Sequence, residues 1–392
     1  MLFLVTSKQG NKLGSPGSIK GLSTNKAQNA PISGRWNRPT AAQYSTVSAM
    51  SGNLPKAKSG RTGELALLRQ IRARAAQSSA SGLRLGIGDD CALLGLRPGE
   101  EAAVTTDLSL DGRHFRLDWH APEVVGHRAL ARGLSDLAAM GARPIAAFIS
   151  LGLPRKLATR NGSRPAWVER FYDGLLALAT RHKTPLAGGD LAESPLALAD
   201  IVLIGAVPRG RALLRSGTRP GDTIYVTGSL GGAAYGLERL AKLAGKLGRP
   251  SPPRLLTSQN KELIAHLAPE PRIAQGLWLR RNGLASAAID LSDGLSTDLT
   301  HLCEESGVAA EVNAAALPLF PGAELAYALH GGEDYELLFT ARPASRVPRS
   351  IVGIPVTAIG RVIAHRPGHP SVTLLTPEGP QPLAPRGWQH FA

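Results

Sequence analysis

The sequence predicts an α/β protein of two folded units behind a basic leader. Three observations carry that reading: strand-length apolar runs alternate with amphipathic helical segments in both halves, composition changes near residue 63, and no short repeat of fixed period occurs. A chain of 392 residues is long enough to bury two sizeable cores. Hydrophobic content of 43% and charged content of 19% belong to ordinary globular protein rather than to disorder.

Order begins near Gly63. Over 64–76 the spacing places Leu65, Leu68, Ile71 and Ala75 on one helical face. A short strand at 101–106 runs into Asp107. Pro122 then opens a helix that reaches Met140, with proline at the favoured first position and Gly141 as its stop. The run 145–153 reads as an apolar strand, 154–165 as a basic surface loop, 166–182 as an amphipathic helix and 200–207 as another strand. A second unit opens at Arg211. It comprises a strand at 222–227 ended by Gly228, a helix at 231–243 and a loop rich in Pro, Gly and Ser at 245–258. Strands follow at 287–291, 335–340, 356–362 and 372–375, with helices at 295–305 and 322–329. The boundary falls near 208–213, giving a leader of 1–62, an N-terminal unit of 63–208 and a C-terminal unit of 211–392.

The net charge of +15 resembles a nucleic-acid signature until it is divided along the chain. Residues 1–63 hold nine Lys or Arg and no Asp or Glu, which leaves +6 for the remainder. That Ser-, Asn- and Gly-rich leader lacks the apolar surface to fold alone. It reads as a nucleic-acid arm, as a targeting peptide, or as residues upstream of a start at Met50. The two cysteines, Cys91 and Cys303, exclude a disulfide framework and an all-cysteine metal site, and suit a reducing cytoplasm. The longest apolar stretch, 196–207, is short of the roughly eighteen residues that span a bilayer and carries Asp200, so no membrane segment is expected.

The acids gather at glycines and small hydroxyls: Gly86-Ile-Gly-Asp89-Asp90, Thr105-Thr106-Asp107, Ser135-Asp136, Gly188-Gly189-Asp190, Asp290-Leu-Ser292-Asp293-Gly294 and Gly331-Gly332-Glu333-Asp334. Carboxylates sharing one pocket repel and raise one another's pKa unless cations lie between them. Magnesium suits such a pocket, because it takes oxygen ligands from a few carboxylates and from substrate phosphates. Phosphoryl transfer needs positioning and cationic stabilisation rather than a protein nucleophile. Each signal also has a plainer explanation. A Gly-Asp pair makes turns; Asp136 fits a solvated helix face; Ser292 or Asp293 can cap the helix that starts at 295. Cys91 reads as a small packed residue, His114 as a base, a phosphate contact or a structural histidine, and Arg215 as a phosphate contact or an exposed loop residue. No Gly-x-x-x-x-Gly-Lys-Ser/Thr loop, complete dinucleotide fingerprint or kinase catalytic loop occurs, so any ATP site is of another kind.

Taken in order, the motifs resemble those of the thiamine-monophosphate kinase family, in the superfamily of aminoimidazole ribonucleotide synthetase and selenophosphate synthetase. They are Leu85-Gly-Ile-Gly-Asp-Asp-Cys-Ala-Leu, Thr105-Thr-Asp, Gly112-Arg-His-Phe, Leu134-Ser-Asp-Leu-Ala-Ala-Met-Gly-Ala, Ala187-Gly-Gly-Asp, Arg215-Ser-Gly, Asp290-Leu-Ser-Asp-Gly-Leu, Gly331-Gly-Glu-Asp-Tyr-Glu-Leu and Gly387-Trp-Gln-His-Phe. The resemblance runs from about residue 63 to 391. It implies the synthetase-type architecture: an N-terminal domain whose sheet pairs in a homodimer, and a C-terminal α/β domain closing over nucleotide. It implies direct in-line transfer from ATP to thiamine monophosphate in a cluster of magnesium ions, with no protein nucleophile. Asp89, Thr105, Thr106, Asp107, Asp136, Asp190, Asp290 and Asp293 are the implied metal ligands. Tyr172, Gly189, Asp190, Arg215 and Ser292 are the implied ATP contacts, and His114, Glu333 and Trp388 the implied substrate contacts, Trp388 offering a ring face to the cationic heterocycle. After Asp190 the chain reads Leu-Ala-Glu-Ser, where the family carries a Thr-Thr-Arg-like continuation.

Neighbouring readings lack their signatures. A selenophosphate-type enzyme needs a reactive cysteine ahead of Cys91, and a hydrogenase-maturation relative needs a C-terminal cysteine, whereas this chain ends His-Phe-Ala. Nucleic-acid binding would reside in the leader alone.

Overall fold

The computed structural model describes residues 64–75, 82–161, 164–247 and 261–387. The leader, Trp388 and most of the loop expected at 245–258 lie outside the described residues. The first half runs α1 (Glu64–Ala75), β1 (Leu83–Leu85), β2 (Leu93–Leu94), β3 (Glu100–Leu110), α2 (Pro122–Ala139), β4 (Arg143–Leu153), α3 (Arg155–Ala158), α4 (Trp167–Arg181), β5 (Leu186–Glu193) and β6 (Leu198–Pro208). In α1 the buried stripe is Leu67, Ile71 and Ala75, every fourth residue, while Leu68 is half out in solvent. Helix α2 starts on Pro122 and stops where Gly141 turns left-handed, as its sequence predicts.

Strands β3, β6, β4 and β5 form one sheet in that order. The first two pairings are antiparallel; β4 and β5 run parallel, so a crossover is required and α4 supplies it. Gly188, Gly189 and Asp190 are turn residues by type, yet strand pairing with β4 overrides that local preference in β5. The strand expected at 101–106 continues to Leu110 as β3, because β6 offers partners along its whole length. Helices α2 and α4 lie against one another at backbone distance: a Cβ on Gly126 would sit 1.9 Å from the Phe171 carbonyl, and one on Gly174 would sit 1.8 Å from that of Glu123. Only glycine permits that crossing. On the other face of the sheet the β1–β2 ribbon packs Leu83, Ala92 and Leu94 against Ile145, Ala146, Ala187 and Ala206. Val104 and Leu108 on β3 stay 61% and 45% exposed.

The second half runs β7 (Thr223–Thr227), α5 (Gly232–Leu247), α6 (Lys261–Leu267), α7 (Ile273–Asn282), β8 (Ala287–Asp290), α8 (Leu295–Ser306), β9 (Val308–Asn313), α9 (Leu325–His330), β10 (Leu337–Ala341), β11 (Ser350–Ile351), β12 (Ile354–Ala364), β13 (Val372–Thr376) and β14 (Gly379–Pro382). Its sheet is ordered β14-β13-β9-β12-β7-β10-β8, with β11 on β12, and is antiparallel except where β13 joins β9. Sequence periodicity did not find α6, α7 or β9. Helix α6 is only seven residues, about two turns, and α7, which packs on α2, carries almost no apolar asymmetry. One buried cluster joins Leu130, Leu134 and Leu137 of α2 to Ala288 of β8 and Leu337 and Phe339 of β10. Helix α2 is thus shared by both sheets, and it positions the site. Among the described residues, no helix is long and apolar enough to cross a membrane.

Candidate active site

The geometry starts from a match of pitches. Four residues of helix advance roughly 6 Å, and two residues of strand advance roughly 6.7 Å. Arg128, Arg132 and Asp136 recur every fourth residue on α2, and Thr105 and Asp107 sit two apart on the face of β3 that meets it. The side chains therefore pair one-to-one. Thr105 Oγ1 donates to Asp136 Oδ2, and the Arg132 guanidinium forks onto Asp107, Nε to Oδ2 at 2.7 Å. Asp107 and Asp190 lie inside strands β3 and β5 rather than in turns. The solvated-face explanation of Asp136 fails too, since its helix is buried on nearly every side.

The other sheet contributes the second set of acids. Asp290 ends β8, fully enclosed, and accepts a hydrogen bond of 2.7 Å from Ser135 Oγ, the neighbour of Asp136. The loop that follows turns into α8 at Gly294. Neither Ser292 nor Asp293 caps that helix; Asp298 reaches back instead, its Oδ2 accepting from the backbone N–H of Asp293 at 3.1 Å and of Gly294 at 3.0 Å. Burial first, then the charge of Asp290, pushes the Asp136 carboxyl up to about 7, with Asp107 adding and Thr105 and the Arg215 cation opposing. Asp290 is raised by burial and by Asp293, against the pull of Ser135 and Arg215. Asp298 is raised well above the usual range by burial, Asp290 and Asp293. These acids do strain against one another across the seam between the sheets.

Further along α2, toward Arg132 and Arg128, the balance is reversed. The Glu333 loop crosses Ser292, whose carbonyl accepts the Glu333 N–H at 2.8 Å. Both Glu333 (φ +67°) and Tyr335 (φ +51°) adopt the left-handed backbone that side chains avoid, a strain that collects at functional loops. Burial alone would raise the Glu333 carboxyl, but Arg128, bonded to it at 2.7 Å, and Arg132 at 3.9 Å hold it down to about 2. Its neighbours face elsewhere. Asp334 accepts the backbone N–H groups of Gly231 and Ala233 at the start of α5, and Glu336 takes Thr227 Oγ1 at 2.6 Å and Arg272 Nε at 2.6 Å. Asp334 and Glu336 also line a cleft of about 730 Å³ with Tyr235, Phe320 and Arg272. On the opposite side, His114 accepts the Leu110 N–H at 3.1 Å and borders, with Arg128 and Arg132, a cavity of about 10 Å³, close to the minimum for one water.

The structure thus brings Thr105, Asp107, Asp136, Asp290 and Asp293 together, with Arg215, Ser292, His114 and Glu333 around them. The remaining sequence-derived candidates lie in other settings. Thr106 is exposed on the opposite face of β3 from Thr105 and Asp107. Asp89 and Asp190 are exposed, each accepting the backbone N–H of the residue after it. Tyr172 is 4% exposed within the α4 core, its ring edge-on to Phe171. A side chain at Gly189 (φ +147°) would strike the Ile149 carbonyl on β4, so strand packing alone demands glycine there. Arg128, Arg132, His266 and Asp298 were not singled out from the sequence. The fourfold spacing of the two arginines with Asp136 was the available signal.

The donor set fits a hard divalent cation: all oxygen, acidic, and mutually destabilised without one. Among the described residues, no three His, Cys, Asp or Glu side chains form a ready-made cage.

Comparison with known proteins settles the family. Residues 88–211 match the family described as AIR synthase related protein, N-terminal domain, and residues 219–369 its C-terminal counterpart. The thiamine-monophosphate kinase of Escherichia coli K12 is 39% identical over 346 residues, covering 84% of this chain and 98% of that protein. The chain belongs to the thiamine-monophosphate kinase family. The crystal structure of the family member from Stenotrophomonas maltophilia is 38% identical, with TM-score 0.67, over 80% of this chain and 96% of that one. The structure of AaThiL complexed with AMPPCP and TMP is 31% identical, with TM-score 0.63, over 84% and 97%. The family's two-domain mixed α/β architecture is therefore the architecture of this chain.

Proposed function

We propose that this enzyme transfers the terminal phosphoryl group of ATP to thiamine monophosphate, giving thiamine diphosphate and ADP, with magnesium. The observation that carries the reading is the meeting of Asp107 and Asp136 with Asp290 and Asp293 across the two sheets, beside a Glu333 already neutralised by arginine. Family membership and the AaThiL complex with AMPPCP and TMP support the choice of substrates. Thr105, Asp107, Asp136, Asp290 and Asp293 would hold the metal; the exposed Asp89, Thr106 and Asp190 are left out of that set. Magnesium, when bound, would neutralise charge on the transferring phosphoryl oxygens.

The chain's own residues do the rest. An acceptor phosphate is already largely ionised at neutral pH, so attack needs no protein base. Arg132 and Arg215 are the cations placed to meet phosphate oxygens, and Glu333 and His114 flank the position for the acceptor's cationic end. The same reading divides the ordered chain at 208–213, between β6 and β7, into units of 63–208 and 211–392. It also pairs the N-terminal sheet with a second copy of itself, supported by the exposed apolar Val104 and Leu108 on the face away from α2.

An assay coupled to ADP release, with magnesium and ATP, tests the proposal against thiamine monophosphate, thiamine and aminoimidazole ribonucleotide precursors. ADP should appear with the first acceptor only. Turnover with another acceptor and none with thiamine monophosphate would overturn it.

A further inference from the structure

Behind Glu333 lies a pair of histidines that the proposed chemistry does not use. His120, just ahead of α2, and His266, on α6, are each 2% exposed, and their Nε2 atoms face one another at 3.0 Å. Two ring nitrogens at that distance share one proton: one donates, the other accepts. The far nitrogen of His266, Nδ1, lies 3.7 Å from Glu333 Oε2 and 3.3 Å from the Arg128 guanidinium. Arg128 also donates to the His266 carbonyl and, at 2.7 Å, to the Glu333 carboxylate. At the outer end, His120 Nδ1 lies 3.1 Å from the backbone N of Arg116 and 3.2 Å from its carbonyl. The chain of protons can therefore run in either sense. In one, Arg116 N–H feeds His120, His120 feeds His266, and His266 Nδ1–H points at Glu333. In the other, His266 Nδ1 accepts from Arg128 and the protons run outward to the Arg116 carbonyl. Burial and the neighbouring Arg128 keep both rings neutral, His120 pushed down to about 4.

We infer that His266 is a positioning residue for the acceptor substrate: with Arg128 it aims the Glu333 carboxylate, and His120 sets whether the nitrogen that His266 turns to this carboxylate carries a proton. The inference rests on the reading that Glu333 contacts the acceptor. It assigns the pair a task in acceptor affinity.

The test separates the two ends of the ring. In His266→Asn the amide replaces Nδ1, the end facing Glu333; in His266→Gln it replaces Nε2, the end facing His120. His266→Gln should raise the KM for thiamine monophosphate about tenfold, with kcat and the KM for ATP within about twofold, and His266→Asn should stay within about threefold of wild type throughout. A wild-type KM in His266→Gln, an equal loss in both variants, or a matching rise in the KM for ATP overturns the inference. Glu333→Gln is run alongside. If it leaves the acceptor KM unchanged, the reading of Glu333 fails and the inference falls with it; if it raises that KM while His266→Gln does not, the inference alone fails. Should either His266 variant fail to fold, ring ¹⁵N spectra of the wild-type protein decide. The His120 and His266 signals should shift on adding thiamine monophosphate without nucleotide, and unmoved signals overturn the inference.

Discussion

Helix α2 poses two opposite electrostatic problems eight residues apart. At Asp136, carboxylates from α2, β8 and α8 are buried together beside Asp107 of β3; Arg132 offsets Asp107, Arg215 and two hydroxyls offset the others, and the Asp136 carboxyl is pushed up to about 7. At Arg128, a single carboxylate is buried against two guanidinium groups and held near 2. The contrast separates a site built to receive positive charge from one that already has it. Mutually raised carboxylates cost stability until a cation arrives, a trade common at functional sites. A carboxylate clamped by arginine contributes to the fold and is available as a fixed negative wall.

The largest effect expected from breaking this contrast is at Asp136. Asp136→Asn should lower turnover in the ADP-release assay by on the order of 10³-fold, because it removes an ion ligand. The same variant should be more stable than wild type at pH 7.5 without magnesium, by on the order of 1–3 kcal/mol. Near-normal turnover would remove Asp136 from the metal site. Next comes Arg128→Met, which leaves Glu333 buried without its main partner and should destabilise by about 3–5 kcal/mol in urea titrations. Adding Glu333→Gln should restore much of that loss, and additive losses would show that the pair is not coupled.

The pH dependence sharpens the comparison without a mutation. A raised carboxyl such as Asp136 binds its proton more tightly in the folded state, so its contribution favours folding at low pH and is lost as pH rises from about 4 to about 7. Glu333 works oppositely: its contribution is present above about 4.3 and disappears as pH falls toward 2. Metal-free protein should therefore lose stability between pH 5 and 7.5, and magnesium should flatten that slope. An equal slope with and without magnesium would mean the ion binds elsewhere. The smallest effect expected is Ser135→Ala. Loss of its hydrogen bond to Asp290 should cost about 1–2 kcal/mol in urea titrations, and less as pH falls, because burial raises the Asp290 carboxyl toward its neutral form.

Much of this was legible in the residues, though unevenly. Pro122 and Gly141 bracket α2 because proline and glycine impose local backbone geometry wherever they fall. The apolar run of β4 announces itself for the same local reason. Strand β5 did not, since Gly188-Gly189-Asp190 is turn chemistry until β4 supplies a hydrogen-bonding partner. Asp298 looked like an ordinary helix residue; only the fold of the preceding loop brings it back over Asp293 and Gly294.

The sequence by itself determined the family, the α/β alternation and most of the acids that meet at the seam, because spacing and residue chemistry are properties of the chain. Tertiary structure decided which acids share a charge. The register between α2 and β3 sets Arg132 on Asp107 and Thr105 on Asp136, and β8 delivers Asp290 beside Ser135. Electrostatic coupling depends on distance and burial, and residues more than a hundred positions apart acquire both only when the two sheets close on one helix.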